Sequence, residues 1–389
     1  MTRVVAWGTF DVGKPRVRIL LGGLREAGVD VLEIHHDVWS GVEDKSSLDG
    51  RGARLKRAVR WLAGYPWLIV RYLRAPRHDA VVVGYLGQLD VLVLWPFARL
   101  RRVPIVWDAF MSLYDTLVLD RALMPPDGVR ARLVRALEWL ACRAADRVVL
   151  DTRAHVQFFV DRLGLDPARA DVVWVGAEPE AFPAGRIEVT GESDGRSVVL
   201  FYGQFIPLHG IETIVRAARL AEDLPIRWIV IGSGQEAVRI ANMLAETPLA
   251  SLEWVRWVPY RELSDWIARA DVGLGIFGRT DKASRVVPNK VYQLLLSGAP
   301  VVTRDSAAMR ELVGPGRPGV RLVPPGDPVA LLAAVRDLLR EARVPDLHAD
   351  LRDQLTPRAV GESFAGVVRN AIRQASARRL PPADPGGPA

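Results

Sequence analysis

The stretch DVGLGIFGRTDKASRVVPNKVYQLLLSGAPVVT, residues 271–303, predicts a strand, a loop, a helix and a second strand in that order. Residues 272–277 form an apolar run with glycines, which is typical of a buried strand in a parallel sheet. We expect the helix to begin at Pro288, because the first helical N–H groups have no partner that a proline would remove. Gly298 and Pro300 should end the helix before the next strand. This order indicates an α/β fold with a parallel sheet.

The loop between the strand and the helix is rich in cations. It carries Arg279, Lys282 and Arg285, and Asn289 and Lys290 follow in the first turn of the helix. Open parallel sheets bind ligands at the carboxyl ends of their strands, and a helix N-terminus favours an anion. The stretch therefore predicts a site for a phosphate-bearing ligand, and the alternative is a solvated basic loop.

This stretch and three others, in matching order and spacing, resemble the donor-binding half of glycosyltransferase family 4, the retaining sugar-nucleotide transferases with the GT-B fold. The others are YGQFIPLHGIETIV at 202–215, IVIGSGQE at 229–236 and SGAPVVTRDSAAMRELV at 297–313. The resemblance covers residues 198–345 well and the N-terminal half loosely. It implies an α/β protein of two Rossmann-like, doubly wound domains that face a cleft.

The chain length and these motifs predict the domain organisation. A chain of 389 residues is long enough for two or three domains. We predict an acceptor-side domain at 1–180, a linker rich in Gly, Pro and charge at 181–197, and a nucleotide-sugar-binding domain at 198–355. A helix at 356–379 begins with a Thr-Pro pair and, by the resemblance, crosses back to the first domain. The tail at 380–389 is expected to be disordered.

The composition indicates which classes of binding partner and which cellular location to expect. With 49% hydrophobic and 25% charged residues the chain is typical of globular proteins, and its net charge of +7 favours anionic partners. No nucleic-acid-binding motif is present, so nucleic acid is ranked last. The single cysteine, Cys142, excludes an internal disulfide and is expected to pack in an apolar helix. Without a signal peptide or a spanning apolar segment, we expect a cytoplasmic protein.

Residues 51–77 combine cations with aromatic side chains and contain no acidic residue. The cations are Arg51, Arg54, Lys56, Arg57, Arg60, Arg71, Arg74 and Arg77, and the aromatic residues are Trp61, Tyr65, Trp67 and Tyr72. This combination favours the headgroup layer of an anionic membrane, so we predict peripheral contact with the inner membrane face. The alternative is a solvated helix pair that packs its aromatic residues on the domain.

Candidate residues in the first domain follow two predicted strands. Gly8 and Thr9 follow the first strand, and by the resemblance this loop faces the cleft. Asp108 follows the fourth strand, with Asp115 a few residues on, and we predict catalytic or orienting roles for both. In related enzymes a His or Asp in this region contacts the sugar or the acceptor. The alternative is helix capping by Asp108 or Ser112.

A further helix in this domain contains a histidine. Asp151 is expected to cap it, and His155, one turn inside, is expected to have a structural role.

The resemblance also implies a set of donor-binding residues in the second domain. They are Gly203, Gln204, His209, Gly232, Gly234, Val258, Arg279, Lys282, Arg285, Asn289, Lys290 and Gln293. The chain departs from the family at several of these positions. Gln204 and His209 stand where the family has Arg and Lys, Gln293 stands where it has a ribose-binding Glu, and a further Glu expected near Arg285 is absent.

The missing cations bear on the chemistry. Breaking the bond from C1 to the diphosphate requires positive charge at the phosphates. We expect Arg279, Lys282, Arg285 and Lys290 to supply it in part. No Asp-x-Asp is suitably placed for a metal, so we expect neither a metal nor a cofactor beyond the donor.

The function that the resemblance implies is retaining transfer of a sugar from a nucleoside-diphosphate sugar to an acceptor, without a covalent nucleophile. The acceptor is either a lipid-linked or glycan intermediate or a small metabolite. Two alternatives stay open. The first is a non-catalytic protein that binds a nucleotide sugar, which the missing Arg, Lys and Glu would explain. The second is a sugar-nucleotide epimerase, since such enzymes share this fold.

Overall fold

The computed structural model describes residues 2–38, 51–185, 195–341, 344 and 347–378, without the side chains of 51–55 and 57. The predicted disordered tail and the larger part of the predicted linker lie outside these residues. Two parallel sheets of six strands each organise the described chain. We call the part that carries the first sheet the N-lobe and the part that carries the second sheet the C-lobe.

The N-lobe sheet has the order β2-β1-β3-β4-β5-β6. Its strands are β1 (Arg3–Gly8), β2 (Asp30–His35), β3 (Ala80–Val83), β4 (Ile105–Asp108), β5 (Arg147–Leu150) and β6 (Ala170–Val172). Its helices are α1 (Pro15–Glu26), α2 (Arg51–Arg74), α3 (Gln88–Arg101), α4 (Val129–Ala144) and α5 (Arg153–Leu163), with a π-helix at Asp115–Asp120 and a 3-10 turn at Pro167–Arg169. The residues of β3, β4 and β5 are all buried, as continuous apolar strands covered by helices on both faces must be.

The C-lobe sheet has the order β12-β11-β10-β7-β8-β9. Its strands are β7 (Ser197–Tyr202), β8 (Ile226–Ile231), β9 (Leu252–Val255), β10 (Val272–Leu274), β11 (Val301–Arg304) and β12 (Val320–Val323). Its helices are α6 (Ile211–Leu220), α7 (Ala237–Glu246), α8 (Leu263–Arg269), α9 (Lys282–Arg285), α10 (Asn289–Leu296), α11 (Ala307–Val313) and α12 (Pro328–Arg340), with 3-10 turns at Pro207–His209 and Tyr260–Glu262.

Each sheet has one point where the strand order reverses, and open α/β sheets bind ligands at such a point. In the N-lobe it lies between β1 and β3, which are hydrogen-bonded neighbours. In the C-lobe it lies between β7 and β10. We call these the N-lobe and C-lobe switch points. The predicted fold class of two doubly wound sheets is confirmed.

Two final helices, α13 (Ala349–Leu355) and α14 (Pro357–Ala377), return the chain to the N-lobe. The Thr356 hydroxyl accepts a hydrogen bond from the Ala359 N–H, which starts α14 as its Thr-Pro pair predicts. α14 packs on α1 so closely that a Cβ on Gly361 would lie 2.1 Å from the carbonyl carbon of Gly23. The C-terminal helix therefore shares its core with the opposite lobe.

Several local predictions need correction. The predicted strand at 272–277 ends at Leu274, although backbone hydrogen bonds to β11 continue to Ile276, and the Phe277 N–H then bonds to the His209 carbonyl. The basic stretch forms one helix, α2, which runs through Pro66, and not the helix pair of the alternative, although Tyr65 and Tyr72 do pack on the domain as that alternative expects. The cap of α5 is the Thr152 hydroxyl, which accepts from the His155 N–H, and not Asp151.

Candidate functional site

Three glycines follow β7 and β8, beside the C-lobe switch point, with the backbone in a region that favours glycine. Gly203, Gly232 and Gly234 have φ values of +138°, +144° and +151°. A Cβ on Gly203 would lie 3.0 Å from Lys290 Nζ, and a Cβ on Gly232 would lie 1.9 Å from the Gly203 carbonyl oxygen. The glycines therefore let these loops stack directly above the Lys290 ammonium.

Lys290 lies in the first turn of α10 and is buried. Its Nζ has no hydrogen-bond partner among the described residues and lies 3.7 Å from the centroid of the Phe201 ring. Burial lowers the pKa of this lysine well below its usual range. A buried, unpartnered ammonium is costly, and such a group indicates a ligand or an ion. An anion at Nζ would restore its charge.

Gln204 and His209 lie beside this lysine. Burial, and next the charge of Lys290, lower the pKa of His209 well below its usual range, so its ring is neutral at pH 7. His209 Nδ1 contacts the Gln204 carbonyl oxygen. Neither of the two positions where the resembling family has a cation therefore carries charge here.

Gln293 faces two tyrosines. Its Oε1 accepts from the Tyr202 hydroxyl at 2.9 Å, and its Nε2 donates to the Tyr260 hydroxyl at 3.4 Å. A carbonyl oxygen has a second lone pair, so a ribose hydroxyl still has an acceptor here. That role stays a prediction.

The loop cations are not gathered around one anion site. Arg285 Nη2 donates to Asp115 Oδ1 at 2.7 Å, and Lys282 Nζ donates to Thr116 Oγ1 at 2.6 Å. Thr280 Oγ1 donates to Asp120 Oδ1 at 2.8 Å. Because α9 belongs to the C-lobe and the π-helix to the N-lobe, these contacts join the lobes. We call them the interlobe clamp.

The remaining predicted donor residues lie around this centre in different settings. Arg279 is exposed, and its Nη2 donates to the Gly326 carbonyl at 3.0 Å. Asn289 is half-buried beside Lys290 at the start of α10. Val258 is half-buried and packs against the C-lobe core. Of the four predicted cations, only Lys290 has no hydrogen-bond partner among the described residues, and its Nζ lies instead over the Phe201 ring.

Asp108 ends β4 in a buried ion pair with Arg16 from α1. Arg16 Nη2 lies 2.6 Å from Asp108 Oδ1, and Arg16 Nε lies 3.1 Å from Asp108 Oδ2. Arg16 Nη1 also donates to the carbonyls of Val173 and Trp174, at 2.8 and 2.9 Å. Burial opposes the charge of Arg16, but the Asp108 carboxylate holds its pKa above the usual value. Asp108 does not cap a helix, and its orienting role stays a prediction.

The N-lobe switch point is occupied by a carboxylate of the chain itself. A Cβ on Gly8, whose φ is +133°, would lie 2.3 Å from Asp90 Oδ2. The Thr9 N–H donates to Asp90 Oδ2 at 2.8 Å, and the Tyr65 hydroxyl donates to Asp90 Oδ1 at 2.6 Å. Trp61 Nε1 donates to Thr9 Oγ1 at 2.9 Å. Gly8 therefore makes room for Asp90, and Thr9 holds it.

Comparison with known protein families resolves the chain into two matched regions. The family described as "Glycosyl transferase 4-like domain" matches residues 13–176, and "Glycosyl transferases group 1" matches residues 196–341. The chain belongs to the GT-B glycosyltransferases of family 4. The resemblance on which the sequence predictions rest is thereby confirmed.

Individual relatives of this glycosyltransferase support the same family and fold. The "Probable glycosyltransferase WbjE" of Pseudomonas aeruginosa is 27% identical over 282 residues, which is 68% of this chain and 67% of that protein. A "GDP-mannose-dependent alpha-mannosyltransferase" of Mycobacterium tuberculosis is 26% identical over 321 residues, 79% of each chain. The solved structure of Anabaena Alr3699/HepE in complex with UDP shares the fold, with a TM-score of 0.65, 13% identity, and coverage of 95% of this chain and 100% of that one.

One buried residue that positions the site of this glycosyltransferase escaped the sequence reasoning. Glu138 on α4 accepts from Ser112 Oγ and the Leu113 N–H, both at 2.6 Å, and from the Tyr114 N–H at 3.1 Å. Ser112 Oγ in turn accepts from the Asp115 N–H, so its predicted capping alternative is confirmed. The available signal was that Glu138 is the single acidic residue of α4 and stands in the otherwise apolar run ALEWLAC.

Three further observations on the described residues concern metal binding, membrane-spanning helices and the cysteine. No group of three or more His, Cys, Asp or Glu side chains is arranged to hold a metal ion. None of the helices there combines the length and hydropathy needed to cross a membrane. Cys142 is buried, as predicted, and burial raises the pKa of its thiol to about 12.

Proposed function

We propose that this glycosyltransferase moves a sugar from a nucleoside-diphosphate sugar to an acceptor, with the diphosphate bound at Lys290. The observation that carries the proposal is the buried Lys290 ammonium, which has no partner among the described residues and lies at the C-lobe switch point. The relatives support the same donor class, because a GDP-sugar appears in the name of one and UDP in the complex of another.

The chemistry needs positive charge on the leaving group. As the bond from C1 to the diphosphate oxygen breaks, negative charge accumulates on the diphosphate. Lys290 supplies one charge. It lies in the first turn of α10, where the helix dipole favours an anion and the N-cap residue makes no side-chain cap hydrogen bond. Protein groups therefore carry this charge in the proposal, which requires no metal. Activity that survives chelation with EDTA supports this part, and loss that Mg²⁺ restores contradicts it.

Entry of the donor requires movement. Lys290 Nζ is buried beneath the Gly203–Gln204 backbone, and the interlobe clamp joins the lobes beside it. The donor therefore reaches Nζ only when this loop or the N-lobe moves away. Closure afterwards would exclude water from the diphosphate and strengthen each charge interaction.

Retention of the anomeric configuration is part of the proposal. The bond from C1 to the diphosphate breaks, and the acceptor oxygen bonds to C1 on the same face. The acceptor proton passes to the leaving phosphate oxygen, so no covalent nucleophile is needed. Proton NMR of the first product tests this step, and inversion at C1 contradicts it.

The direct test measures nucleotide binding. Wild-type protein is screened by thermal shift against UDP, GDP, ADP and dTDP, since a ligand of the folded state raises the melting temperature. For the nucleotide that stabilises it most, Lys290→Met should weaken binding by about two orders of magnitude, the loss expected for one oriented charge. Lys56→Met, at an exposed lysine of α2, is the matched control. Equal affinity in both variants contradicts the proposal.

The outward face of α2 supports a membrane-side acceptor. Tyr65 and Tyr72 pack inward, whereas Leu62 and Trp67 are 56% and 46% exposed. Further apolar residues of this face are Val59, Val70 and Leu73, and exposed cations beside them are Lys56, Arg60, Arg71 and Arg74. Apolar side chains flanked by cations fit the headgroup layer of an anionic bilayer. The proposal therefore includes peripheral membrane contact and a lipid-linked acceptor.

Vesicle sedimentation tests the membrane contact. The protein should pellet with phosphatidylglycerol vesicles and much less with phosphatidylcholine vesicles, and added salt should release it. The double variant Leu62→Glu, Trp67→Glu should stay in the supernatant. Leu220→Glu, at an exposed leucine of α6, is the matched control. A wild-type protein that stays in the supernatant with anionic vesicles favours a small soluble acceptor.

The two alternative functions differ from this proposal in their products. A non-catalytic binding protein would bind the nucleotide sugar without even slow hydrolysis. A sugar-nucleotide epimerase would convert the donor in the absence of any acceptor. NMR of the donor incubated with the protein alone separates both outcomes from transfer.

A further inference from the structure

Arg121 reaches from the N-lobe into the C-lobe switch point. It directly follows the π-helix Asp115–Asp120. Its Nη2 donates to Gln204 Oε1 at 3.3 Å, and its own carbonyl accepts from Gln235 Nε2 at 3.1 Å. Two C-lobe loops therefore hold this N-lobe residue, one at its side chain and one at its backbone.

The guanidinium of Arg121 is not fully engaged. Its Nε is buried and has no hydrogen-bond partner among the described residues. The neighbouring Asp120 carboxylate interacts with the charge of Arg121 but makes no hydrogen bond to it, since its Oδ1 accepts from Thr280 Oγ1 at 2.8 Å and its Oδ2 has no hydrogen-bond partner among the described residues. A buried guanidinium N–H without an acceptor is costly in the same way as the Lys290 ammonium.

Arg121 and Lys290 act on the same surroundings. After burial, the charge of Lys290 and then that of Arg121 lower the pKa of His209. Lys282 acts on this histidine as well, but it donates to Thr116 and interacts with Asp120 and Asp115. Both cations also meet the same loop, because Arg121 Nη2 donates to Gln204 Oε1 at 3.3 Å and Lys290 Nζ lies 3.0 Å from where a Cβ on Gly203 would stand.

We propose that Arg121 supplies, from the N-lobe, the positive charge that position 204 lacks, so that the donor diphosphate is held between Arg121 and Lys290. This inference rests on the proposed function. Gln204 then has a positioning role, since its amide oxygen holds the guanidinium when no donor is bound. A guanidinium can donate two parallel hydrogen bonds to a phosphate, which a lysine cannot.

The arrangement couples donor binding to lobe closure. Lys290 belongs to the C-lobe and Arg121 to the N-lobe, so the diphosphate is held on both sides only when the lobes meet. The acceptor-side lobe thereby contributes directly to stabilising the leaving group. A nucleoside monophosphate, which has no second phosphate to bridge the two cations, should gain less from Arg121.

The test relocates the charge. Arg121→Ala should weaken binding of the stabilising nucleoside diphosphate at least tenfold and lower kcat/KM for its sugar about a hundredfold. Binding of the matching monophosphate should fall much less. Adding Gln204→Arg to Arg121→Ala should restore at least tenfold of the lost diphosphate affinity. Arg135→Ala, at an exposed arginine of α4, is the matched control.

The outcomes separate this inference from the proposed function. Wild-type diphosphate affinity in Arg121→Ala, or no recovery with Gln204→Arg, overturns the inference. If Lys290→Met still loses binding in that case, the proposed function stands alone. If neither variant changes binding, both fail. Should Arg121→Ala fold poorly, Arg121→Gln keeps a hydrogen-bonding side chain without the charge and must show the same preferential loss of diphosphate binding.

Discussion

The two switch points of this protein have the same place in the fold, but side chains of opposite charge lie there: Asp90 in the N-lobe and Lys290 in the C-lobe. In the N-lobe, Asp90 occupies the space beneath Gly8 and accepts hydrogen bonds from Thr9 and Tyr65. In the C-lobe, the space beneath Gly203 holds the Lys290 ammonium, which has no partner among the described residues. A glycine after a strand permits close approach at both switch points, but only the space beside Gly203 holds a buried ammonium that has no hydrogen-bond partner among the described residues.

The buried charges of the two lobes repeat this contrast. Arg16 and Asp108 neutralise each other in the N-lobe, with 2.6 Å between Arg16 Nη2 and Asp108 Oδ1. Removing one partner of such a buried pair destabilises the protein, because the other charge is left without compensation. Lys290 has no such counter-charge. The comparison supports the proposed donor site at Lys290 in the C-lobe, whereas the buried N-lobe groups Asp90, Arg16 and Asp108 have partners within the protein.

The largest expected effect is on turnover. Lys290→Met should lower kcat by two to three orders of magnitude, about 3–4 kcal/mol, because the charge meets the leaving diphosphate. Lys282→Met should cost less, since Lys282 donates to Thr116 in the interlobe clamp. Steady-state kinetics with the preferred donor measure both. Equal losses at the two lysines would remove the distinction between donor site and clamp.

A comparable effect is expected on stability at the N-lobe switch point. Asp90→Ala removes a buried carboxylate that accepts from the Thr9 N–H and the Tyr65 hydroxyl. Hydrogen bonds to a charged group are worth about 1.5–3 kcal/mol each, so unfolding should become easier by roughly 3 kcal/mol. Chemical denaturation measures the loss. Calorimetry should find the nucleotide affinity of the folded variant unchanged, and a selective loss of affinity would give this switch point a ligand role.

Lys290→Met should stabilise the protein, in contrast to the destabilisation expected for Asp90→Ala. It replaces a buried, unpartnered ammonium by an apolar side chain of similar length, which should stabilise the fold by roughly 1–3 kcal/mol near neutral pH. The pKa of Lys290 is lowered in the folded state, so between the two pKa values the unfolded chain binds more protons. Wild-type stability therefore rises with pH in that window, and the advantage of the variant should disappear above about pH 10.4. A destabilised variant at pH 7 would argue for an unrecognised partner.

The smallest effect is a pH dependence of donor binding. Only the protonated Lys290 attracts the diphosphate, and bound anion raises its pKa again, so binding should take up protons. Affinity for an intact nucleotide sugar should fall as pH rises above the lowered pKa, by up to about tenfold per pH unit. Calorimetry in two buffers of different ionisation enthalpy measures the uptake. The Lys290→Met variant should show none, and uptake that persists there must come from another group.

The architecture was readable from the chain because its signals are local. Pro288 directly precedes α10, one residue before the predicted start, Gly298 follows the end of that helix, and the glycines at 203, 232 and 234 follow β7 and β8. Each of these features depends on a few neighbouring residues. The prediction at Asp151 failed at this scale, since Thr152 beside it is also a good capping residue and its hydroxyl reaches the His155 N–H.

The partners of the buried charged residues could not be predicted from the sequence. Thr9 and Asp90 are 81 positions apart, Arg16 and Asp108 are 92 apart, and Asp115 and Arg285 are 170 apart. Periodicity carries no information on contacts of this range. A sequence also does not say whether a ligand or a side chain fills the space that a glycine leaves. The sequence therefore predicts that Lys282 and Arg285 bind phosphate, whereas in the structure they donate to Thr116 and Asp115 of the N-lobe.

A crystal structure with the preferred nucleoside diphosphate tests the central claim most directly. The account predicts a diphosphate oxygen about 3 Å from Lys290 Nζ, at the hydrogen-bonding distance of a charged pair, beside Gly203. A diphosphate bound elsewhere, with Lys290 Nζ still unpartnered, would contradict it.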